Sequence, residues 1–344
     1  MEDLVIVGGG VAGLSCLNAL LDKGISPLLL EASTIGSPKM CGEFLAPNAI
    51  EQLNKWGIGP LQSIKQAHFF GGRRSLQMTF PREAGAYCRH HAEMELATRA
   101  REKGGRIREF SSIQTITPAT KNKPFILELT SGEVIEARDL IFATGKWSRA
   151  KPSVNASKFI GFKTHISQVI QSETLMMYSL NGGYLGIVPV SSEKSNITCL
   201  VKREVVERVG SCVDFLTDFM NSRLSPVKLD TLDWLEGEAP AFGAKVIPNW
   251  PHAYWIGDAL LSVHPAIGYG FAHAVSSACM AADYYLKRDV TGYHRSIQRL
   301  VRPKRILGTR MHHLLQNPRL CNVISPILRT NPWIAHQLLT LCDY

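Results

Sequence analysis

Three glycines near the N-terminus carry the first recognisable chemistry of this 344-residue chain. Leu4 to Val7 is a short apolar run, and Gly8-Gly9-Gly10-Val11-Ala12-Gly13 follows at once. At this spacing Gly8 allows a tight turn, Gly10 lets a pyrophosphate approach the backbone, and Gly13 lets a helix lie close to a sheet. The helix then offers N–H groups and the positive end of its dipole to phosphate. Glu31 stands where an acid accepts hydrogen bonds from an adenosine ribose and repels a 2′-phosphate. The plainer alternative is a structural glycine-rich turn. A strand before, a helix after and an acid at the right distance argue for dinucleotide binding instead.

The elements that must position these residues follow from the pattern of apolar positions. Leu14, Leu17, Leu20 and Leu21 mark a helix ending at Gly24, and Pro27 to Glu31 is a second buried strand. Ala92 to Lys103 reads as a helix closed by Gly104-Gly105. Phe125–Thr130 and Val134–Ala137 read as a hairpin, and Leu140–Ala143 as a buried strand ending at Thr144-Gly145. From about 157 to 250 the pattern changes to strands (Thr174–Leu180, Tyr184–Val190, Ile197–Lys202) with one helix near Val213–Met220. Tyr254 to Asp258 is a strand that rejoins the first unit, and Phe271 to Leu286 is a helix. A helical tail from Gln298 is interrupted by Pro318, Pro326 and Pro332.

The expected fold is therefore α/β. A Rossmann-like three-layer nucleotide domain (1–75, 88–155 and 250–297) is interrupted by an inserted antiparallel β-sheet substrate domain (76–87 and 156–249) and followed by a helical C-terminal tail (298–344).

Composition narrows the partners. Hydrophobic residues at 45% and charged residues at 19% are those of a folded globular chain. The net charge of +9 suits an anionic membrane surface or a phosphorylated ligand. No nucleic-acid partner is expected, because the basic residues form no long run and no zinc-finger or RNA-binding signature is present. Eight cysteines occur, none as C-x-x-C, which suits free thiols in a reducing, cytoplasmic compartment. No signal peptide is expected before a strand that begins at Leu4. No histidine, cysteine and carboxylate spacing suggests a metal. In the tail, Arg299, Arg302, Lys304, Arg305 and Arg310 have no acid among them, and apolar helical positions from Leu314 to Leu339 follow. Such a pattern suits contact with a membrane or a lipid carrier; the plainer reading is that these helices pack on their own domain.

Ile256-Gly257-Asp258, followed by Pro265, Gly268 and Gly270 before a helix, resembles the geranylgeranyl-reductase-like and aromatic-hydroxylase-like FAD oxidoreductases. The resemblance implies one noncovalent FAD, with Asp258 on the ribityl hydroxyls. It also aims the helix starting near Gly270 at the flavin N1 and C2 carbonyl, where charge gathers on reduction. Arg89, Glu93 and Leu96 match the arginine-acid-leucine helix opening of that superfamily, with glutamate where aspartate is usual. Ala143 to Ser148 resembles the segment that packs near the pyrophosphate, Gly145 being the matched glycine; Thr144 stands where many members have aspartate. Lys39 to Leu45, with Pro47, looks like the C-G-x-x-L segment beside the isoalloxazine. This implies a cofactor contact from Lys39 and places Cys41 near the ring; a small buried cysteine on a tight loop is the alternative.

Gly182 to Pro189 matches the strand that roofs the substrate pocket, which implies Tyr184, Gly186 and Pro189 there. Isoprenoid reductases usually carry tryptophan about where Gly186 stands. His264 and His273 are candidates to approach the flavin and donate protons, or simply hydrogen-bonded loop and helix residues. The resemblance implies an FAD-dependent oxidoreductase acting on a lipophilic small molecule. Two chemistries remain open: reduction of a carbon–carbon double bond in an isoprenoid- or polyketide-like substrate, and hydroxylation or epoxidation. A non-catalytic flavin-binding partner protein is a third reading. With one dinucleotide motif, electrons come from transient NAD(P)H or from a redox carrier.

Overall fold

The computed structural model describes residues 1–59, 62–120, 122–145, 158–224, 234–239, 242–244, 247–248 and 250–343. The stretch 146–148 of the segment matched to the pyrophosphate region lies outside them. In chain order the strands are β1 (Glu2–Val7), β2 (Leu28–Leu30), β3 (Phe44–Leu45), β4 (Gln62–Gly71), β5 (Arg74–Ala86), β6 (Arg106–Arg108), β7 (Ile113–Thr117), β8 (Phe125–Leu129) and β9 (Val134–Phe142). There follow β10 (Phe159–Ile166), β11 (Thr174–Leu180), β12 (Gly183–Pro189), β13 (Ser195–Lys202), β14 (Leu235–Glu238), β15 (Gly243–Ala244), β16 (Ala253–Trp255) and β17 (Leu261–Ser262). The helices are α1 (Val11–Leu21), α2 (Pro47–Lys55), α3 (Arg89–Glu102), α4 (Arg203–Glu207), α5 (Cys212–Arg223), α6 (Gly270–Leu286), α7 (Val290–Leu315), α8 (Pro318–Thr330) and α9 (Pro332–Asp343).

The first sheet runs β6-β2-β1-β9-β8-β7. β1 pairs in parallel with β2 and β9, and the late strand β16 adds in parallel to the far half of β9. The near half of β9 instead closes the hairpin with β8. β1, β2 and the end of β9 read as unbroken apolar runs because helices cover such parallel strands. α1 packs on both α6 and α3. The return of β16 explains why the nucleotide unit is discontinuous: its last strand follows the inserted sheet in the chain.

The second sheet runs β14-β10-β13-β12-β11-β4-β5-β3 and is antiparallel except for the β11–β4 pair. Here the observed boundary differs from the sequence reading. β4 and β5 are two halves of one hairpin, and both stand in the second sheet. A division at 75/76 would fall inside β5 and part β4 from its paired strand, so β4 goes with the inserted sheet. α3 also starts at Arg89, three residues before the expected Ala92, because a distant carboxylate caps it: Arg89 N–H donates to Glu43 Oε1 at 3.1 Å.

The tail likewise begins before Gln298, since α7 is one helix from Val290 to Leu315. Pro318 and Pro332 open α8 and α9, where the missing N–H costs nothing. Pro326 lies inside α8 and leaves the Asn322 carbonyl without its helical donor. Arg74 Nη1 donates to that carbonyl at 3.3 Å, and Asn322 Oδ1 accepts the N–H groups of Arg73 and Arg74. At Gly71 a Cβ would stand 2.5 Å from Cys321 Cβ. The β4–β5 turn is therefore docked onto α8, and this contact carries the tail back over the second sheet.

Candidate cofactor and substrate site

The glycine turn is built as its spacing demands. Gly8 has φ +110°, and a Cβ on it would lie 2.5 Å from the Ala143 carbonyl oxygen. A Cβ on Gly13 would lie 1.8 Å from the Gly8 oxygen, which is how closely α1 sits on the turn. Gly10 is different: the nearest atoms to its Cβ position are Arg89 Nη2 at 3.6 Å and Glu93 Oε1 at 3.7 Å. That position opens on a cavity, and no side chain caps the first N–H groups of α1. Glu31 Oε2 accepts the Gly9 N–H at 2.6 Å, and Oε1 accepts from the Ser33 N–H and hydroxyl. A carboxylate has further lone pairs for ribose hydroxyls.

Two cations flank this turn. Glu93 is fully buried on α3 and accepts Arg89 Nε at 2.9 Å and Lys39 Nζ at 2.8 Å. One carboxylate thus fixes two positive side chains, both on the cavity wall. Burial works against the Arg89 charge, but the Glu93 carboxylate outweighs it and leaves the guanidinium more firmly protonated than usual. A helix N-terminus, an open glycine and two cations fit a diphosphate.

The Gly257-Asp258 turn follows β16. Gly257 has φ +55°; its N–H donates to Ser277 Oγ at 2.9 Å and its carbonyl accepts from His273 Nε2 at 3.1 Å. Burial holds His273 below the ordinary histidine range, so the ring is neutral and donates to the turn rather than reaching the cavity. Asp258 lines the cavity. Gly268 has φ +64°, and its missing Cβ makes room for the Phe44 ring, whose Cδ1 would be 2.6 Å away. α6 then starts at Gly270 with its N-terminus on the cavity.

The cavity has a volume of about 1440 Å³. Single small-molecule sites run to roughly 300–1,000 Å³, so a cofactor and a substrate fit together. One end is the glycine turn. The other is apolar, walled by Phe69, Met78, Leu175 and Met177 of the second sheet and by Ile324 and Leu328 of α8. Between them, Cys41, Gly42 and Glu43 lie against the wall. The Glu43 carboxylate is buried, with Lys163 Nζ at 2.5 Å and His165 Nε2 at 2.8 Å. Burial alone would raise its pKa, but the His165 hydrogen bond and the Lys163 charge outweigh it and keep the carboxylate ionised below its ordinary range.

Of the residues singled out from the sequence, Gly8, Gly10, Glu31, Lys39, Cys41, Arg89, Gly145, Tyr184, Gly186, Asp258, Pro265, Gly268 and Gly270 line this one cavity. Gly13 and Gly257 pack directly behind it. Pro189 is buried at the end of β12, off the wall. His264 is not on the wall either. Its ring packs on His312 with centroids 4.5 Å apart and on Phe242 at 4.7 Å. Burial and the neighbouring His313 push its pKa down to about 4, so near neutrality it is a neutral imidazole rather than an imidazolium acid.

The sequence reading missed Glu43, Lys163 and His165 as a cluster. The available signal was two titratable side chains at i and i+2 in the otherwise apolar β10, which places them on one face. It also missed the tail residues in the wall; nothing local to the tail distinguishes a cavity-lining leucine from a packed one.

The comparisons with known proteins agree with this geometry. The family described as FAD binding domain matches residues 1–208. Menaquinone reductase of Mycolicibacterium smegmatis is 21% identical over 94% of this chain and 87% of its own. A geranylgeranyl bacteriochlorophyll reductase-like structure from Thermoplasma acidophilum superposes with a TM-score of 0.78 at 18% identity, over 95% of this chain and 91% of that one. PqsL of Pseudomonas aeruginosa, described as a probable FAD-dependent monooxygenase, gives a TM-score of 0.76 at 13% identity, over 93% of this chain and 98% of that one. The glycine turn, the paired cations and the Gly257-Asp258 turn thus stand in a chain that belongs to the FAD binding domain family and is an FAD-dependent oxidoreductase.

Proposed function

We propose that this chain reduces a carbon–carbon double bond in a lipophilic, isoprenoid- or polyketide-like small molecule. The observation that carries the reading is the single cavity that runs from the glycine turn to an apolar chamber. In it, Glu31, Lys39, Arg89 and Asp258 would hold FAD, which would supply a hydride equivalent once reduced. The Cys41–Glu43 loop and the opening of α6 would border the flavin, and Tyr184 and Gly186 on β12 would line the substrate end of the cavity. Apolar walls exclude water and leave a lipid chain as the natural occupant. The menaquinone reductase and geranylgeranyl reductase-like relatives support the substrate class. Electrons reach the flavin from NAD(P)H or a redox carrier.

The test is anaerobic. The FAD-loaded protein is reduced and mixed with polyprenylated quinones and polyprenyl lipids, and flavin reoxidation is followed with product mass. A mass gain of two hydrogens with accelerated reoxidation is expected. Reoxidation at the substrate-free rate with every lipid would refute the reading. The PqsL likeness and the absence of an aromatic side chain at Gly186 favour a second reading, hydroxylation or epoxidation. Product carrying one added oxygen, formed only in air, would select it. Flavin reduction without turnover on either arm would select a non-catalytic flavoprotein.

The tail contributes the route by which a lipid arrives. Among the described residues no helix is long and apolar enough to cross a membrane. α8, however, is apolar on two faces. Cys321, Ile324 and Leu328 line the cavity, while Leu320, Val323 and Ile327 are exposed at i, i+3 and i+7, with exposed Trp333 opening α9. From Val290 to Cys342 the chain has eight basic residues and no acid. We infer peripheral contact with the anionic surface of a cytoplasmic-side membrane, where each nearby cation contributes about 1 kcal/mol. Co-sedimentation with phosphatidylglycerol vesicles that weakens at high salt is expected; a supernatant protein at both salts would refute it.

A further inference from the structure

The Cys41–Glu43 loop is held more firmly than its length explains. Glu43 has φ +58°, a left-handed conformation that a non-glycine residue rarely adopts. Its carboxylate is met by Lys163 and His165 of β10 and by the first N–H of α3. Its carbonyl accepts the Tyr87 N–H at 2.9 Å. The Cys41 carbonyl accepts from Asn196 Nδ2 at 3.2 Å and Thr198 Oγ1 at 3.1 Å, both on β13. The Glu43 N–H in turn lies 3.4 Å from Cys41 Sγ. Three residues are thus fastened to two strands of the inserted sheet and to the helix that carries Arg89. A surface ion pair would add little, but these charges lie in the interior, where a fully partnered set specifies one arrangement.

We propose that Glu43 is a positioning residue whose carboxylate, clamped by Lys163, His165 and the Arg89 N–H, holds the loop in its left-handed turn and fixes the Cys41 thiol against the cavity. The clamp couples the substrate sheet to the cofactor side: β10 and β13 grip the loop, and Phe44 next to it fills the space left by Gly268. Losing the carboxylate leaves Lys163 buried without its anion and frees the turn to relax, so the thiol loses its fixed place. The placement of that thiol beside the flavin ring rests on the proposed function; the clamp does not.

Iodoacetamide labelling of Cys41, read by peptide mass spectrometry in the FAD-loaded and flavin-free protein, tests the clamp, with half-buried Cys279 on α6 as internal reference. Glu43→Ala is expected to raise Cys41 labelling about tenfold, the equivalent of one lost charged hydrogen bond, and leave Cys279 unchanged. Glu43→Gln, which keeps an acceptor, recovers part of the difference. Should Glu43→Ala not fold, Thr198→Val removes one donor to the Cys41 carbonyl without stranding a charge and is expected to give about a threefold rise. Wild-type labelling in the folded variants overturns the proposal. A shifted visible flavin spectrum accompanies the faster labelling if the thiol also borders the ring. Faster labelling with an unchanged spectrum supports the clamp and refutes only the thiol's placement at the ring.

Discussion

Replacing Gly13 by alanine separates steric packing from helix propensity. Many dinucleotide turns accept alanine at the third glycine. Here the added Cβ would stand 1.8 Å from the Gly8 carbonyl oxygen, and real Cβ atoms essentially never come closer than 3.0 Å. The helix and the turn must therefore separate by at least 1.2 Å (3.0 − 1.8). Both are backbone, so no side chain can swing away. Against this, alanine in a helix interior gains about 1 kcal/mol over glycine. Overpacking costs about 1–3 kcal/mol, and rigid backbone on backbone belongs at or beyond the upper end. A net loss of about 2 kcal/mol is expected in urea unfolding of the flavin-free protein.

The same separation would move the N–H groups of α1 away from the diphosphate, and FAD affinity, read by flavin fluorescence quenching, should fall at least about tenfold. Gly10→Ala is the control. Its Cβ meets nothing nearer than 3.6 Å, so the flavin-free fold should keep its stability within about 0.5 kcal/mol while FAD binding suffers. Wild-type stability and FAD affinity in Gly13→Ala would show that the close approach of α1 to the turn is wrong and would refute the reasoning.

Other outcomes follow from the site. Asp258→Ala should keep the fold and weaken FAD binding by one to two decades, since a hydrogen bond to a charged group contributes about 1.5–3 kcal/mol; an unchanged dissociation constant would remove Asp258 from the cofactor. Cys41→Ala should lower turnover on the true substrate with little change in FAD affinity, and full activity would leave the thiol a packing residue. Burial, with the neighbouring His313, lowers His264 and, with His264 and His313, lowers His312, each to about 4 from 6.5. The unfolded chain then binds more protons than the folded one between those values, so stability is expected to fall as the pH drops from 6.5 toward 4. His312→Leu should flatten that dependence in urea midpoints; an unchanged slope would count against a neutral buried pair.

What could be read in the sequence is local. Gly8, Gly10, Gly13 and Glu31 lie within one β-α-β unit, where the chain's own geometry ties spacing to position. The Gly257-Asp258 turn and the glycines before α6 are similarly contiguous, and the resemblance led to the expectation that they share a site with the glycine turn; Asp258, Gly268 and Gly270 line the same cavity. The inserted sheet was legible as an alternation of strands. Its membership was not, because β4 pairs with β11 across about a hundred residues of chain, and pairing partners leave no local mark.

The clamp is the clearest case of what only the tertiary structure decided. Glu43 meets Lys163 and His165 across separations of 120 and 122 residues, and none of the three is unusual where it stands in the chain. The start of α3 moved for the same reason, since its cap comes from Glu43 rather than from a neighbouring side chain. The apolar tail had two readings in the sequence because amphipathic spacing says which residues share a face, not what that face meets. Docking of the β4–β5 turn onto α8 resolved one face as cavity wall and left the adjacent stripe exposed.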